Sequence, residues 1–174
     1  MGYTHYFEKP KNFEASISQR TQAVTLVKAL LGNLPEHSDS AGGYYKFEPL
    51  IVQREDDDPS QPMVDENVIL FNGASEFAHE TFCFEFGPTS HAFNFCKTAG
   101  KPYDLAVIST LVILKYIFGK IIMLNYYQTY YVCPFFIPYI FSFILECFNI
   151  KYVYTYDKFY NYQDYKNNII LLPP

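Results

Sequence analysis

Two pairs of neighbours, His79 with Glu80 and Cys96 with Lys97, each set two chemically active side chains side by side, and His5 lies in a short aromatic segment near residue 1. Brought together, His5, His79, Glu80 and Lys97 supply an acid, a base and a cation, the minimum equipment for proton transfer. An ammonium beside Cys96 would also favour its thiolate as a nucleophile. The plainer reading of these residues is a cross-strand Glu80 to Lys97 ion pair and a small buried cysteine. A second constellation, Lys97, Thr98, Gly100 and Lys101, stands just before an apolar segment. Two ammonium groups, a hydroxyl and the free N–H groups of a helix start are the ingredients of a phosphate or carboxylate site. The spacing is not that of a P-loop, so nucleotide hydrolysis is not implied. Asp104 falls in the first turn, where it can itself meet the helix dipole and make the loop a structural cap.

Metal binding has less support. On a strand, His79 and Cys83 share a face but stand roughly 13 Å apart, at about 3.3 Å per residue, whereas zinc ligands lie within about 2.3 Å of one ion. Only a set drawn from separate strands, His5, His79 and Cys96, would be conceivable, and a lone histidine on a sheet is usually hydrogen-bonded structure. No metal and no cofactor is assigned from the sequence.

The elements that must position these groups follow from pattern. Tyr3 to Phe7 reads as a strand ended by Pro10. From Ile17 to Leu34, Ala23, Val24, Val27, Leu30, Leu31 and Leu34 recur at three- and four-residue steps, which predicts a helix capped by Ser16 or Ser18. Residues 36 to 43 read as a loop, Leu50 to Gln53 as a strand, and the acidic, proline-containing stretch 54 to 66 as a solvated excursion. Asn67 to Phe71 reads as a buried strand with Asn72 and Gly73 as its turn. Phe82, Phe84 and Phe86 alternate with Cys83 and Glu85, and residues 91 to 96 alternate again after Gly87, Pro88, Thr89 and Ser90. That pattern predicts a hairpin with Phe84 opposite Phe93, Phe82 opposite Phe95 and Glu80 opposite Lys97. Pro102 suits a first helical position and Gly119 a helix end, giving a second helix from Tyr103 to Phe118. The expected fold is α+β, a small mainly antiparallel sheet packed against two helices.

A chain of 174 residues fits one domain and a tail. Its net charge of −5 comes largely from Glu55, Asp56, Asp57, Asp58, Asp65 and Glu66, so nucleic-acid binding is not expected. The aromatic residues of the first 119 positions are better explained as sheet-face core than as base-stacking platforms, which need a positively charged groove. Four scattered cysteines without a C-x-x-C pair, and no leader-like start, suggest reduced thiols and a cytoplasmic location. Gly2 is not read as a myristoylation site, since Tyr6 occupies the position that needs Ser or Thr.

The blocks Gly2-Tyr3-Thr4-His5-Tyr6-Phe7, Phe71-Asn72-Gly73, His79-Glu80-Thr81-Phe82 and Phe95-Cys96-Lys97-Thr98-Ala99-Gly100-Lys101-Pro102-Tyr103-Asp104 resemble, in order, those of an uncharacterised family of bacterial and phage proteins, over residues 1 to about 122. The resemblance implies no mechanism. Gly100 stands where that family usually has Arg, and Ile121-Ile122-Met123-Leu124 replaces a polar Ser-Ser-Asp-Gly segment.

From Lys120 onward the chain has no Gly, Ala, Arg or His, and Phe, Tyr, Ile, Asn and Lys supply 34 of 55 residues. Those residue types share AT-rich codons, so residues 120 to 174 are read as an extension derived from a frameshift, a read-through intron or AT-rich sequence. Ile121 to Leu145 is uncharged over 25 residues, long enough to span a bilayer, although it contains Asn125, Gln128, Pro134 and Pro138. Three functions are therefore carried forward. The first is a non-enzymatic module for a small anionic ligand or a protein; the second is a small enzyme using His5, His79, Glu80 and Lys97; the third is a membrane-associated protein acting through residues 105 to 145.

Overall fold

Alternation sets the two faces of the first strand, β1 (Thr4–Glu8): His5 and Phe7 point inward, while Thr4, Tyr6 and Glu8 lie on the other side. The computed structural model describes residues 4–10, 12–38, 47–55, 57–88 and 93–119, with the backbone of 123–125. Helix α1 (Ile17–Gly32) starts at Ser16, whose hydroxyl accepts the Gln19 N–H while the Gln19 side chain accepts the Ser16 N–H. Its apolar stripe, Ala23, Leu26, Val27 and Leu30, is buried.

Short strands follow: β2 (His37–Ser38), β3 (Glu48–Pro49), β4 (Val52–Gln53) and β5 (Met63–Val64). The excursion at 54 to 66 thus contributes a strand at its end, because Val64 finds a buried place beside Ile69. Next come β6 (Val68–Gly73), β7 (Phe82–Glu85), β8 (Phe93–Lys97), helix α2 (Asp104–Phe118) and β9 (Met123–Asn125). Every strand pairing is antiparallel. One sheet has the order β8-β1-β9; a second has β6 between β4 and β5 with β7 also on β6, and β2 pairs with β3. The fold is α+β, with small antiparallel sheets packed on two helices, as the pattern predicts.

The predicted β7–β8 hairpin does not form. β7 pairs with β6, setting Phe84 beside Ile69 and Phe82 beside Phe71, whereas β8 pairs with β1, setting Phe95 beside Tyr6 and Phe93 beside Glu8. The phenylalanines separate by environment: Phe82, Phe84 and Phe86 are fully buried, and Phe93 and Phe95 face outward. An apolar strand such as β6 gains most when flanked on both sides, and it takes β7 as a neighbour. Among the described residues the two segments are joined at the expected open end, where the Glu80 N–H donates to the Lys97 carbonyl at 3.2 Å.

Asn72 and Gly73 are not a turn either. They continue β6 inside the core, where the Asn72 amide brackets His79: its Oδ1 accepts the His79 N–H at 3.2 Å and its Nδ2 donates to the His79 carbonyl at 3.1 Å.

The core lies between the β strands and the helices. Phe7 meets Phe82 and Phe84 with ring centroids 5.8 and 6.2 Å apart, and Phe13 stands edge-on to Phe118 at 5.2 Å. Lys9 is buried at the end of β1; its ammonium donates to the Glu85 carbonyl and lies over the rings of Phe13 and Phe84. Burial lowers its pKa from the ordinary lysine value. Helix α2 stops at Gly119, the predicted helix end, which takes a positive φ of 57°, and the backbone of 123–125 forms a strand beyond it. Among the described residues no helix is long and apolar enough to cross a membrane. The stretch 121 to 145 lies outside the described residues except for the backbone of β9.

Candidate functional site

Period two on β1 sends His5 inward opposite Cys96 of β8, and an inward imidazole needs a polar partner. The partner is Asp104, the first residue of α2. His5 Nε2 donates to Asp104 Oδ1 at 2.6 Å, and both side chains are only 4% exposed. The Thr98 hydroxyl, also buried, donates to the same oxygen. One carboxylate thus ties β1, the loop after β8 and the start of α2 together, across 99 positions of sequence in the case of His5.

The order of these groups decides what they can do. In a nucleophile triad the imidazole stands between hydroxyl and carboxylate, taking the proton of one while being oriented by the other. Here the carboxylate is central and the hydroxyl and imidazole both point at it, so His5 does not activate Thr98. The arrangement is a buried fastening.

A second cluster adjoins it. The Glu80 carboxylate accepts the Lys97 backbone N–H at 2.6 Å, in place of the expected side-chain ion pair. The Glu80 carbonyl accepts the Tyr103 hydroxyl at 2.8 Å and the Cys96 thiol at 3.4 Å. Cys96 is not the low-pKa thiol that its neighbour Lys97 suggested. Burial first, and then the charges of Glu80 and Asp104, push its pKa up, and burial first, then the neighbouring Cys96 and the charges of Asp104 and Glu80, do so for Tyr103. Lys97 cannot offset this, because alternation turns its side chain to the face opposite Cys96.

These two shifts fix a pH response. The unfolded chain ionises cysteine and tyrosine at about 8.5 and 10, while the folded chain keeps both protons, so the stabilisation is complete below about pH 8.5 and is lost as pH rises further. The denaturation midpoint is expected to fall between about pH 8.5 and 10.5, and Cys96→Ala is expected to flatten the first part of that fall in urea titrations followed by circular dichroism. A slope unchanged by Cys96→Ala would refute the assignment.

Of the four residues proposed for acid–base work, Glu80 and Lys97 are brought together, His5 is turned to the interior, and the His79 side chain is exposed while its backbone is held by Asn72. His5, His79 and Cys96 do not assemble a metal centre: among the described residues no group of three His, Cys, Asp or Glu side chains is placed to hold an ion.

In the proposed anion loop the Thr98 hydroxyl turns inward, whereas Lys97 lies on the face of β8 opposite the buried Cys96. Ala99 and Gly100 both have positive φ, and the Lys101 N–H closes the turn onto the Thr98 carbonyl at 3.1 Å. The Asp104 and Leu105 N–H groups donate to the carbonyls of Lys101 and Pro102, and the Lys101 ammonium donates to the Glu76 carbonyl.

The outer face of the same strands is chemically different. Tyr6 stacks on Phe93 with centroids 5.6 Å apart, and Phe95 lies tilted against both, at 6.5 Å from Tyr6 and 6.3 Å from Phe93. Phe93 is 48% and Phe95 56% exposed. Sequence reasoning assigned these rings to the core because it placed them opposite Phe82 and Phe84. Comparison with protein-family models, curated proteins and solved structures returns no match, so the functional reading rests on this geometry alone.

Proposed function

We propose that the domain is a non-enzymatic binding module that docks a protein partner on the outer face of β1 and β8. The observation that supports it is the cluster of exposed Phe93 and Phe95 with half-buried Tyr6 on the outer side of an antiparallel sheet, where polar side chains are the rule. Contiguous exposed rings of this kind mark interaction surfaces, and aromatic residues supply much of the energy at such contacts. The inward fastening of Asp104 and the internally bonded loop at 98–101 favour binding over catalysis, since His5, Thr98, Glu80 and Asp104 already serve the fold.

The test places a photo-crosslinking phenylalanine analogue at position 95, and at the exposed position 28 on α1 as a control, in cells producing the protein. A discrete protein adduct from position 95 and none from position 28 is expected. The double substitution Phe93→Ser and Phe95→Ser, with the same analogue placed at position 6, is expected to abolish the adduct while costing only about 1 kcal/mol of stability, as exposed sites do. No adduct from position 95 above the control would end the reading.

A further inference from the structure

Bond direction along β8 shows which of its backbone groups face away from the sheet. The Lys97 N–H meets the Glu80 carboxylate at 2.6 Å and the Lys97 carbonyl accepts the Glu80 N–H at 3.2 Å, so both backbone groups of Lys97 point away from β1. In an antiparallel pair this direction alternates from residue to residue. Cys96 and Asn94 therefore turn their backbone groups toward His5 and Phe7 of β1, whereas those of Phe95 and Phe93 point outward with those of Lys97. β8 is the end strand of its sheet, and β7 leaves it to pair with β6. Glu80 thus closes one end of an edge that continues past it, and among the described residues no hydrogen bond reaches the N–H or C=O of Phe95 or Phe93.

We propose that this edge takes up an extended segment of a partner protein as an added strand beside Phe93 and Phe95. This rests on the reading above that the outer face of β1 and β8 is a protein contact, and it names the form the partner takes there. Donor and acceptor together on every second residue, roughly 7 Å apart along the strand, match the groups of another extended backbone. A helix has its own backbone groups bonded internally and cannot supply them. Sheet proteins blunt such edges with charges, prolines or bulges. In Phe93–Lys97 the one charge is Lys97, at the end that Glu80 already closes, and there is no proline.

The side chains agree with the backbone. Residues of an added strand opposite Phe95 and Phe93 would stand on the outer face beside those rings, which are 56% and 48% exposed. The partner segment is therefore apolar at alternate positions, with backbone hydrogen bonds giving affinity and the rings giving preference.

Hydrogen exchange in the full chain, followed amide by amide by NMR, tests whether the edge is open. The Phe95 amide is expected to exchange at least tenfold faster than the amides of Asn94 and Cys96, which bond to β1. A Phe95 amide as slow as that of Cys96 would show the edge already covered and overturns the proposal without any substitution. The second arm places the photo-crosslinking analogue at position 93 in cells. Phe95→Pro removes the outward N–H, a change an edge strand accepts, and is expected to lower the adduct at least tenfold, whereas Phe95→Thr keeps the N–H and is expected to retain at least a third of it. Circular dichroism checks that both variants stay folded. Mass spectrometry of the adduct is expected to place the crosslink in a segment that alternates apolar and polar residues. An adduct indifferent to Phe95→Pro, or confined to residues 126–174 of the same chain, overturns strand addition. The crosslink from position 95 separates the failures: an adduct with another protein there leaves the contact face standing, and none removes both readings.

Discussion

Asp104→Ala is expected to lower the stability of the domain by about 3–5 kcal/mol, the range for removing one partner of a buried, hydrogen-bonded charged group. Its carboxylate is the shared acceptor for His5 and Thr98, and all three side chains are buried. Removing it leaves an imidazole and a hydroxyl without that acceptor in a buried place, and each lost bond brings its own desolvation cost. A domain of this size is stable by about 5–15 kcal/mol in all, so the variant is expected to be partly unfolded at room temperature. Asp104→Asn keeps an oxygen at the same position and is expected to cost less than half as much. Urea unfolding followed by circular dichroism measures both. A loss below about 1 kcal/mol for Asp104→Ala would show that the carboxylate is not what joins β1 to α2.

Gly73→Ala is expected to cost about 3 kcal/mol, and its cause is steric alone. A Cβ at this position would stand 2.3 Å from the Phe77 carbonyl oxygen and 2.8 Å from Cδ1 of Tyr103. The first is backbone in a short 3₁₀ turn, Ser75–Phe77, and the second belongs to a fully buried ring whose hydroxyl is held by Glu80, so neither yields easily. Gly32→Ala is the control. A Cβ there meets nothing within 4 Å, and alanine at the last residue of α1 is expected to be neutral or to stabilise by up to about 1 kcal/mol. Thermal unfolding of the pair separates the clash from any general effect of replacing glycine, and equal melting temperatures would refute it.

What the sequence revealed depended on how far each contact reaches along the chain. Both helices were legible because their signals are local: a three- and four-residue stripe and the Ser16 cap for α1, Pro102 and Gly119 bracketing an apolar run for α2. The strands were legible as strands but not as partners. Phe82, Phe84, Phe93 and Phe95 alternate as a hairpin would, yet pairing is a competition for edges, and the edges that won belong to Val68–Phe71 and Thr4–Glu8. Asn72-Gly73 has turn chemistry, but Gly73 is there because two other groups crowd its Cα, which dihedral reasoning does not see.

Of the candidate residues, Glu80 and Lys97 were placed together correctly, although the bond runs from carboxylate to backbone. Asp104 was read as a partner of the helix dipole, and its role at His5 was missed. One signal was available: with Phe7 inward, period two sends His5 inward as well, and a buried imidazole has to find an acceptor. The aromatic face was missed because its rings were assigned to a partner strand that lies elsewhere.

The tie between His5 and Asp104 also bears on how the polypeptide is born. At ribosomal speeds of about 5–20 residues per second, the 99 positions between them take roughly 5–20 seconds to make. Throughout that interval β1, with Tyr6 and Phe7, is without the β8 and α2 residues that later cover it.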